Sequence, residues 1–334
     1  MSQPRIAPRS ALSRRGFLAA VGALAGAGAL APFLGRTRGG AGMRRLEASR
    51  PLFGTWVRVV ARDPDPARAG RGLEEAFAAM RRVDATMSIH RADSQVSLVN
   101  AAAGRHAVAV DAAVLDVVER SRDAAARADG AYDPTILPLM LAFGFYGARG
   151  GDQTYPGARM LDAARAHVDW RGVEIDRPAG TLGLARAGMG LDLGSIGKGW
   201  AVDVAVEALR ARGIRHGLVD VGGNVYGLGT PDDDADGWSV GVFHPVSGEL
   251  ARTFTLRDMA VATSGDYEQS RTLGGVRVGH LLDPRRGGLA DGPLSASVVA
   301  RSGTDSDTLS TVAFLLGPDR LRGFAEAVDA HFIG

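Results

Sequence analysis

The chain has 334 residues, 46% apolar and 23% charged, enough to build a sizeable core and too apolar to be a disordered chain. It has no cysteine, which excludes disulfides, thiolate metal sites, a cysteine nucleophile and a lipidated N-terminus, so the protein is no lipoprotein. The net charge of +2 is uneven: residues 1–45 hold eight arginines and no acid, leaving 31 basic and 37 acidic residues elsewhere. A body of net charge −6 is a poor general binder of nucleic acid.

In chain order, Ser13-Arg14-Arg15-Gly16-Phe17-Leu18 precedes an apolar stretch from Ala19 to Leu34 dominated by Ala and Gly. A twin arginine before a weakly hydrophobic run reads as a Tat export signal, with a membrane anchor as the other reading. So much Gly and Ala makes a poor membrane helix, which favours export to the periplasm or otherwise outside the cytoplasmic membrane. Residues 1–45 are therefore taken as signal peptide and short linker, and 46–334 as one domain. Alternation predicts a first strand over Leu52–Val60, and apolar spacing predicts a helix over 66–84. A second helix is expected from Asp111, as cap, to Asp129, stopped by Gly130. Ala131 to Met140, with two prolines, fits no regular period, and 144–158 reads as a polar surface loop.

Strands are expected at 172–175 and 180–185. Leu-Asp-Leu at 191–193 then enters Gly-Ser-Ile-Gly-Lys-Gly and a helix pattern. Lys198 in that turn is the only lysine in the chain. A Gly-rich turn opening a helix presents backbone N–H groups suited to phosphate. Residues 217–229 read as a buried strand broken at Gly222-Gly223, and Asp232–Asp236 as a solvated turn. Strands follow at 238–243, 253–256, 260–263, 276–282 and 296–300, then helices at 305–316 and 318–331. The mixture predicts an α+β fold with a mostly antiparallel or mixed sheet and packed helices.

Three polar groupings carry candidate chemistry. Asp307, Ser310 and Thr311 share one helical face, a hard-oxygen set suited to Mg²⁺ or Ca²⁺, although such residues also gather at helix N-termini as caps. His280, before Asp283-Pro284, reads as a general base or as an ordinary packed histidine. Asp266 is either a site residue or the former of a turn.

The order of these groupings resembles the ApbE family, the FAD:protein FMN transferases. The matching blocks are Phe-Gly-Thr (53–55), Met-Ser-x-His with Asp-Ser and Asn (87–100), Gly-Ala-Tyr-Asp-Pro-Thr (130–135) and Leu-Asp-Leu-Gly-Ser-Ile-Gly-Lys-Gly (191–199). They continue with Asp-Val-Gly-Gly-Asn (220–224), Ala-Thr-Ser-Gly-Asp-Tyr (262–267), His-Leu-Leu-Asp-Pro (280–284) and Ser-Asp-Thr-Leu-Ser-Thr (306–311). The resemblance implies an ApbE-like flavin transferase fold and Mg²⁺-dependent transfer of FMN from FAD to a Thr or Ser hydroxyl of an acceptor, releasing AMP. It implies FAD contacts at Phe53, His90, Ala131, Tyr132, Asp133, Asp192, Lys198 and Leu282. It likewise implies Mg²⁺ ligands at Ser195, Asp307 and Thr311, with His280 as the catalytic base. The implied partner is a protein with an Asp-x-x-Thr-type site in an exported electron-transfer chain. His90 stands where the family commonly has Tyr or Trp. Water entering beside so small a ring would make the same site an FAD pyrophosphatase giving FMN and AMP. A flavin-binding protein without turnover is the reading from a different class.

Overall fold

The computed structural model describes residues 42–146, 154–266, 269–324 and 329–334. The export-signal reading rests almost wholly on residues outside these ranges, and Tyr267 and residues 147–153 of the expected 144–158 loop also lie outside them.

The chain opens with two strands, β1 (Arg44–Leu52) and β2 (Thr55–Asp63), where one was expected. Phe53 and Gly54 form the two-residue turn between them, both with positive φ, as a tight hairpin requires. On β2, Val57, Val59 and Ala61 point inward, while Trp56 is exposed. Helix α1 (Pro66–Met87) follows, with Asp65 accepting the Ala67 N–H at 2.8 Å and Pro66 in the first turn. Its buried stripe, Leu73, Phe77, Met80, Val83 and Met87, recurs at helical spacing and faces the sheet.

Among the described residues between 88 and 196 lie four α-helices and a small antiparallel sheet. The helices are α2 (Gln95–Ala102), α3 (Ala112–Arg127), α4 (Leu137–Ala142) and α5 (Ala158–Arg165). The sheet has order β3-β5-β4, from β3 (Val108–Ala109), β4 (Val173–Asp176) and β5 (Thr181–Leu184). Asp111 sits at the cap of α3 as expected, but its side chain makes no capping bond there. The proline-rich stretch yields α4 because Pro138 occupies the first turn, where a missing N–H costs nothing.

The second half supplies α6 (Gly197–Ala211), β6 (His216–Val221) and β7 (Asn224–Leu228). Next come the hairpin β8 (Trp238–Phe243) and β9 (Leu250–Leu256), then β10 (Met259–Gly265). The strand expected at 276–282 is divided. β11 (Ser270–Leu273) pairs with β12 (Val276–Gly279), and β13 (Leu282–Asp283) with β14 (Gly288–Leu289). The chain ends with β15 (Ser295–Ala300), α7 (Gly303–Phe324) and β16 (Asp329–Ile333).

A helix over 318–331 is therefore corrected. Gly317 (φ 72, ψ 173) with Pro318 kinks α7, and residues 329–333 pair with β15 instead. The main sheet is wholly antiparallel, in the order β1-β2-β6-β7-β10-β15-β16. One face packs on α1 and α6 through Val57, Val219 and Val206, and the β8–β9 hairpin covers part of the other through Val242, Phe254 and Leu256. The result is the α+β architecture expected from the sequence.

Candidate active site

The first turns of α6 and α7 touch through two glycines. A Cβ on Gly199 would lie 2.1 Å from the Gly303 carbonyl oxygen and 2.7 Å from Asp307 Cβ. One on Gly303 would lie 2.6 Å from the Gly199 oxygen. Only hydrogen fits at either position, and the closeness lets Gly199 N–H donate to Asp307 Oδ2 at 2.8 Å. Asp203, one turn further along α6, caps α7 across the gap. Its Oδ1 accepts Gly303 N–H at 2.6 Å, and its Oδ2 accepts both the Thr304 N–H, at 2.9 Å, and the Thr304 hydroxyl. This cap comes from a residue 100 positions earlier in the sequence rather than from a neighbour. Ser302 does accept Asp305 N–H locally, at 3.0 Å.

Asp307 is buried, with Oδ2 committed to Gly199 and Oδ1 3.7 Å from Lys198 Nζ. Lys198 also donates to the Gly194 carbonyl at 3.2 Å. Around Asp307 the hydroxyls gather. Ser310 donates to the Asp307 carbonyl at 2.9 Å, and Ser264 Oγ lies 2.8 Å from Ser310 Oγ and 3.1 Å from Thr311 Oγ1. Ser264, at the end of β10, belongs to a noticed sequence block but was not singled out. Ser195 donates to the Tyr132 hydroxyl at 3.1 Å. Burial pushes that phenol up to about 12, with the nearby Asp307 charge adding a little, so it stays neutral.

Asp192 holds the entry to this turn. Its Oδ1 accepts Gly194 N–H at 2.9 Å, its Oδ2 accepts the Tyr146 hydroxyl at 2.8 Å, and its own N–H donates to Pro134 O at 2.8 Å. His90 is exposed and meets the Tyr146 ring edge-on, with centroids 5.3 Å apart. Tyr146 was not among the expected site residues, and nothing local in the sequence marks it.

His280 follows β12. Both its backbone N–H (3.0 Å) and its Nδ1 (3.1 Å) face the Gln269 carbonyl oxygen. A carbonyl only accepts, so the proton sits on Nδ1 and Nε2 keeps its lone pair. Burial holds the imidazole below its ordinary value, and Lys198 works in the same direction. The Gln269 bond, Asp192 and Asp266 oppose the shift.

The remaining expected residues are buried or packed against the apolar core. Ala131 and Tyr132 are buried in a cluster with Val312 and Phe314, and Leu282 in one with Leu139, Phe143 and Val278. Asp133 faces inward. Its Oδ1 accepts Thr135 N–H (2.8 Å) and Oγ1–H (2.7 Å), and its Oδ2 accepts Trp170 N–H at 3.0 Å. Phe53 joins the group only through the apolar core at the β1–β2 turn, held at φ 53. Beside Asp133 opens a cleft of about 620 Å³, lined by Arg165, Arg171, Arg186 and Arg285 together with Asp129, Asp162 and Asp169.

Among the described residues, no three His, Cys, Asp or Glu side chains come together to hold a metal. The donors that could contribute are one carboxylate oxygen, Asp307 Oδ1, the Thr311 hydroxyl on the same helix, and the Ser195 hydroxyl, which is bonded to Tyr132. That set fits Mg²⁺, which keeps several waters and is usually completed by one or two carboxylates and a substrate's phosphates.

The model of the ApbE family matches residues 53–332. The FAD:protein FMN transferase of Treponema pallidum (strain Nichols) is 33% identical, over 90% of this chain and 87% of its own. That of Klebsiella pneumoniae (strain 342) is 32% identical, over 85% and 88%. Among solved structures, the flavin transferase ApbE from Vibrio cholerae superposes with a TM-score of 0.77 at 28% identity, covering 86% of this chain and 93% of that one. The apo form of Pseudomonas stutzeri flavinyl transferase ApbE gives 0.75 at 29% identity, with coverages of 87% and 91%.

Proposed function

Since the chain belongs to the ApbE family and is an FAD:protein FMN transferase, we propose that it moves FMN from FAD to a Thr or Ser hydroxyl of an exported or membrane-associated acceptor, releasing AMP. The observation that carries this reading is the free Nε2 of His280, in the electrostatic field of Lys198, Asp192 and Asp266. His280 Nε2 takes the proton of the acceptor hydroxyl. The hydroxyl oxygen bonds to the phosphorus of the FMN half, and the pyrophosphate P–O bond to the AMP half breaks. A histidine base contributes about 10²–10⁴-fold to such a step.

Asp192 orients the FAD beside the turn, and Lys198 contributes positive charge at the diphosphate. Asp307 Oδ1, Ser195 and Thr311 would hold Mg²⁺. When bound, that ion stabilises charge on the phosphoryl oxygens. The acceptor carries an Asp-x-x-Thr-type site and serves an exported electron-transfer chain. The twin arginine at Arg14-Arg15 supports export, which cell fractionation checks. Among the described residues no helix is long and apolar enough to cross a membrane.

The test is to incubate the protein with FAD, Mg²⁺ and an exported acceptor, then weigh the acceptor. The expected result is a gain of one FMN. An unmodified acceptor with free FMN and AMP accumulating would overturn transfer in favour of the pyrophosphatase.

A further inference from the structure

We propose that Tyr146 is a positioning residue of the flavin site, orienting Asp192 and bracing His90. This rests on the assignment of Asp192 and His90 to FAD binding. The argument begins with the carboxylate. Asp192 has two oxygens, and each accepts one bond from the protein: Oδ1 from the Gly194 N–H and Oδ2 from the Tyr146 hydroxyl. A carboxylate has about four acceptor positions, so two remain for a substrate, in directions these bonds fix. Without the Tyr146 hydroxyl, only the bond within the turn restrains the group.

The ring has a separate task. It stands edge-on to His90 at an interplanar angle of 74°, an arrangement in which the positive ring edge meets the π-face. His90 follows the first helix and is exposed, and Tyr146 supplies its aromatic neighbour. The tyrosine is itself anchored, packing against the cluster of Leu139, Met140 and Phe143. One side chain thus ties together three segments distant in sequence: the stretch after α1, the end of α4 and the entry to α6. Burial and the Asp192 charge both push its pKa upward, so the hydroxyl stays a donor throughout the working range.

The proposal separates hydroxyl from ring, and the test does the same. FAD affinity is read on the full-length protein with Mg²⁺ present, by flavin fluorescence, alongside steady-state kinetics and a melting curve. Tyr146→Phe keeps the ring. It is expected to weaken FAD binding and raise KM about tenfold, as loss of a hydrogen bond to a charged group does, with kcat held within about twofold. In an Asp192→Asn background the same change should have a much smaller effect, because the partner charge is gone. Tyr146→Leu should in addition raise the share of FAD released as free FMN rather than attached to acceptor.

Unchanged FAD affinity in Tyr146→Phe overturns the proposal. So does an equal loss in the Asp192→Asn background, which would mark a general structural effect. Because the binding measurement needs no acceptor, a wild-type protein that binds FAD without flavinylating anything would sink the transferase reading and leave the Tyr146 proposal to its own result.

Discussion

The two halves of the site are built differently. The Asp307 half sits where α6 and α7 cross at Gly199 and Gly303, locked by backbone bonds to two carboxylates, the buried Asp307 and the partly buried Asp203. The His280 half hangs on short strands and turns, β11 to β14, and on the end of α4. Under the proposed function, the carboxylate that would hold a cation lies on the helix pair, and the base that would meet the acceptor lies on the turns. Rigid elements give precision, and loops give access.

Three changes sharpen that contrast, beginning with the largest expected effect. Asp307→Asn should abolish Mg²⁺-dependent turnover, by about 10²–10³-fold or more, while keeping an acceptor for Gly199 N–H and hence most of the stability. Asp307→Ala should lose turnover and also about 1–3 kcal/mol, from the buried N–H left unpaired. Metal titrations and melting curves on both variants check this, and retained metal dependence would remove Asp307 from the ligand set. Gly303→Ala forces a methyl against the Gly199 carbonyl and should cost about 1–3 kcal/mol, lowering Tm and turnover together. A neutral result would mean that the helix crossing yields easily.

The smallest effect concerns the loop half. Because burial and Lys198 lower the His280 pKa, the acid limb of kcat/KM should fall below the ordinary histidine value of 6.5. Lys198→Met removes a lowering influence, so the limb should move to higher pH. Asp266→Asn removes a raising one and should move it lower. A pH profile indifferent to both would take His280 out of the base role.

The sequence made the interior of this fold legible and left its margins obscure. Helix α1 and the Gly222-Gly223 turn follow from local spacing and from glycine's freedom. The two strands missed in the main sheet, β1 and β16, are its edges. Edge strands are half-exposed, and β1 carries arginine, glutamate and Pro51 where a central strand would alternate apolar residues. Within the site, Asp307, Ser195 and His280 stand out because their blocks are local. Tyr146 with Asp192, Asp203 with Gly303 and Gly199 with Gly303 are pairs 46 to 104 residues apart, which no window on the chain brings together.

Lys198 has a practical consequence. Because every other basic side chain of the Lys and Arg class is arginine, the protein carries a single ε-amine, and it lies 3.7 Å from Asp307 Oδ1. Amine-directed chemistry therefore has one side-chain address. Reductive methylation with a carbon-13 label would give one lysine resonance, placed where the proposed cation at Asp307 would alter the local field. The molecule carries its own spectroscopic probe.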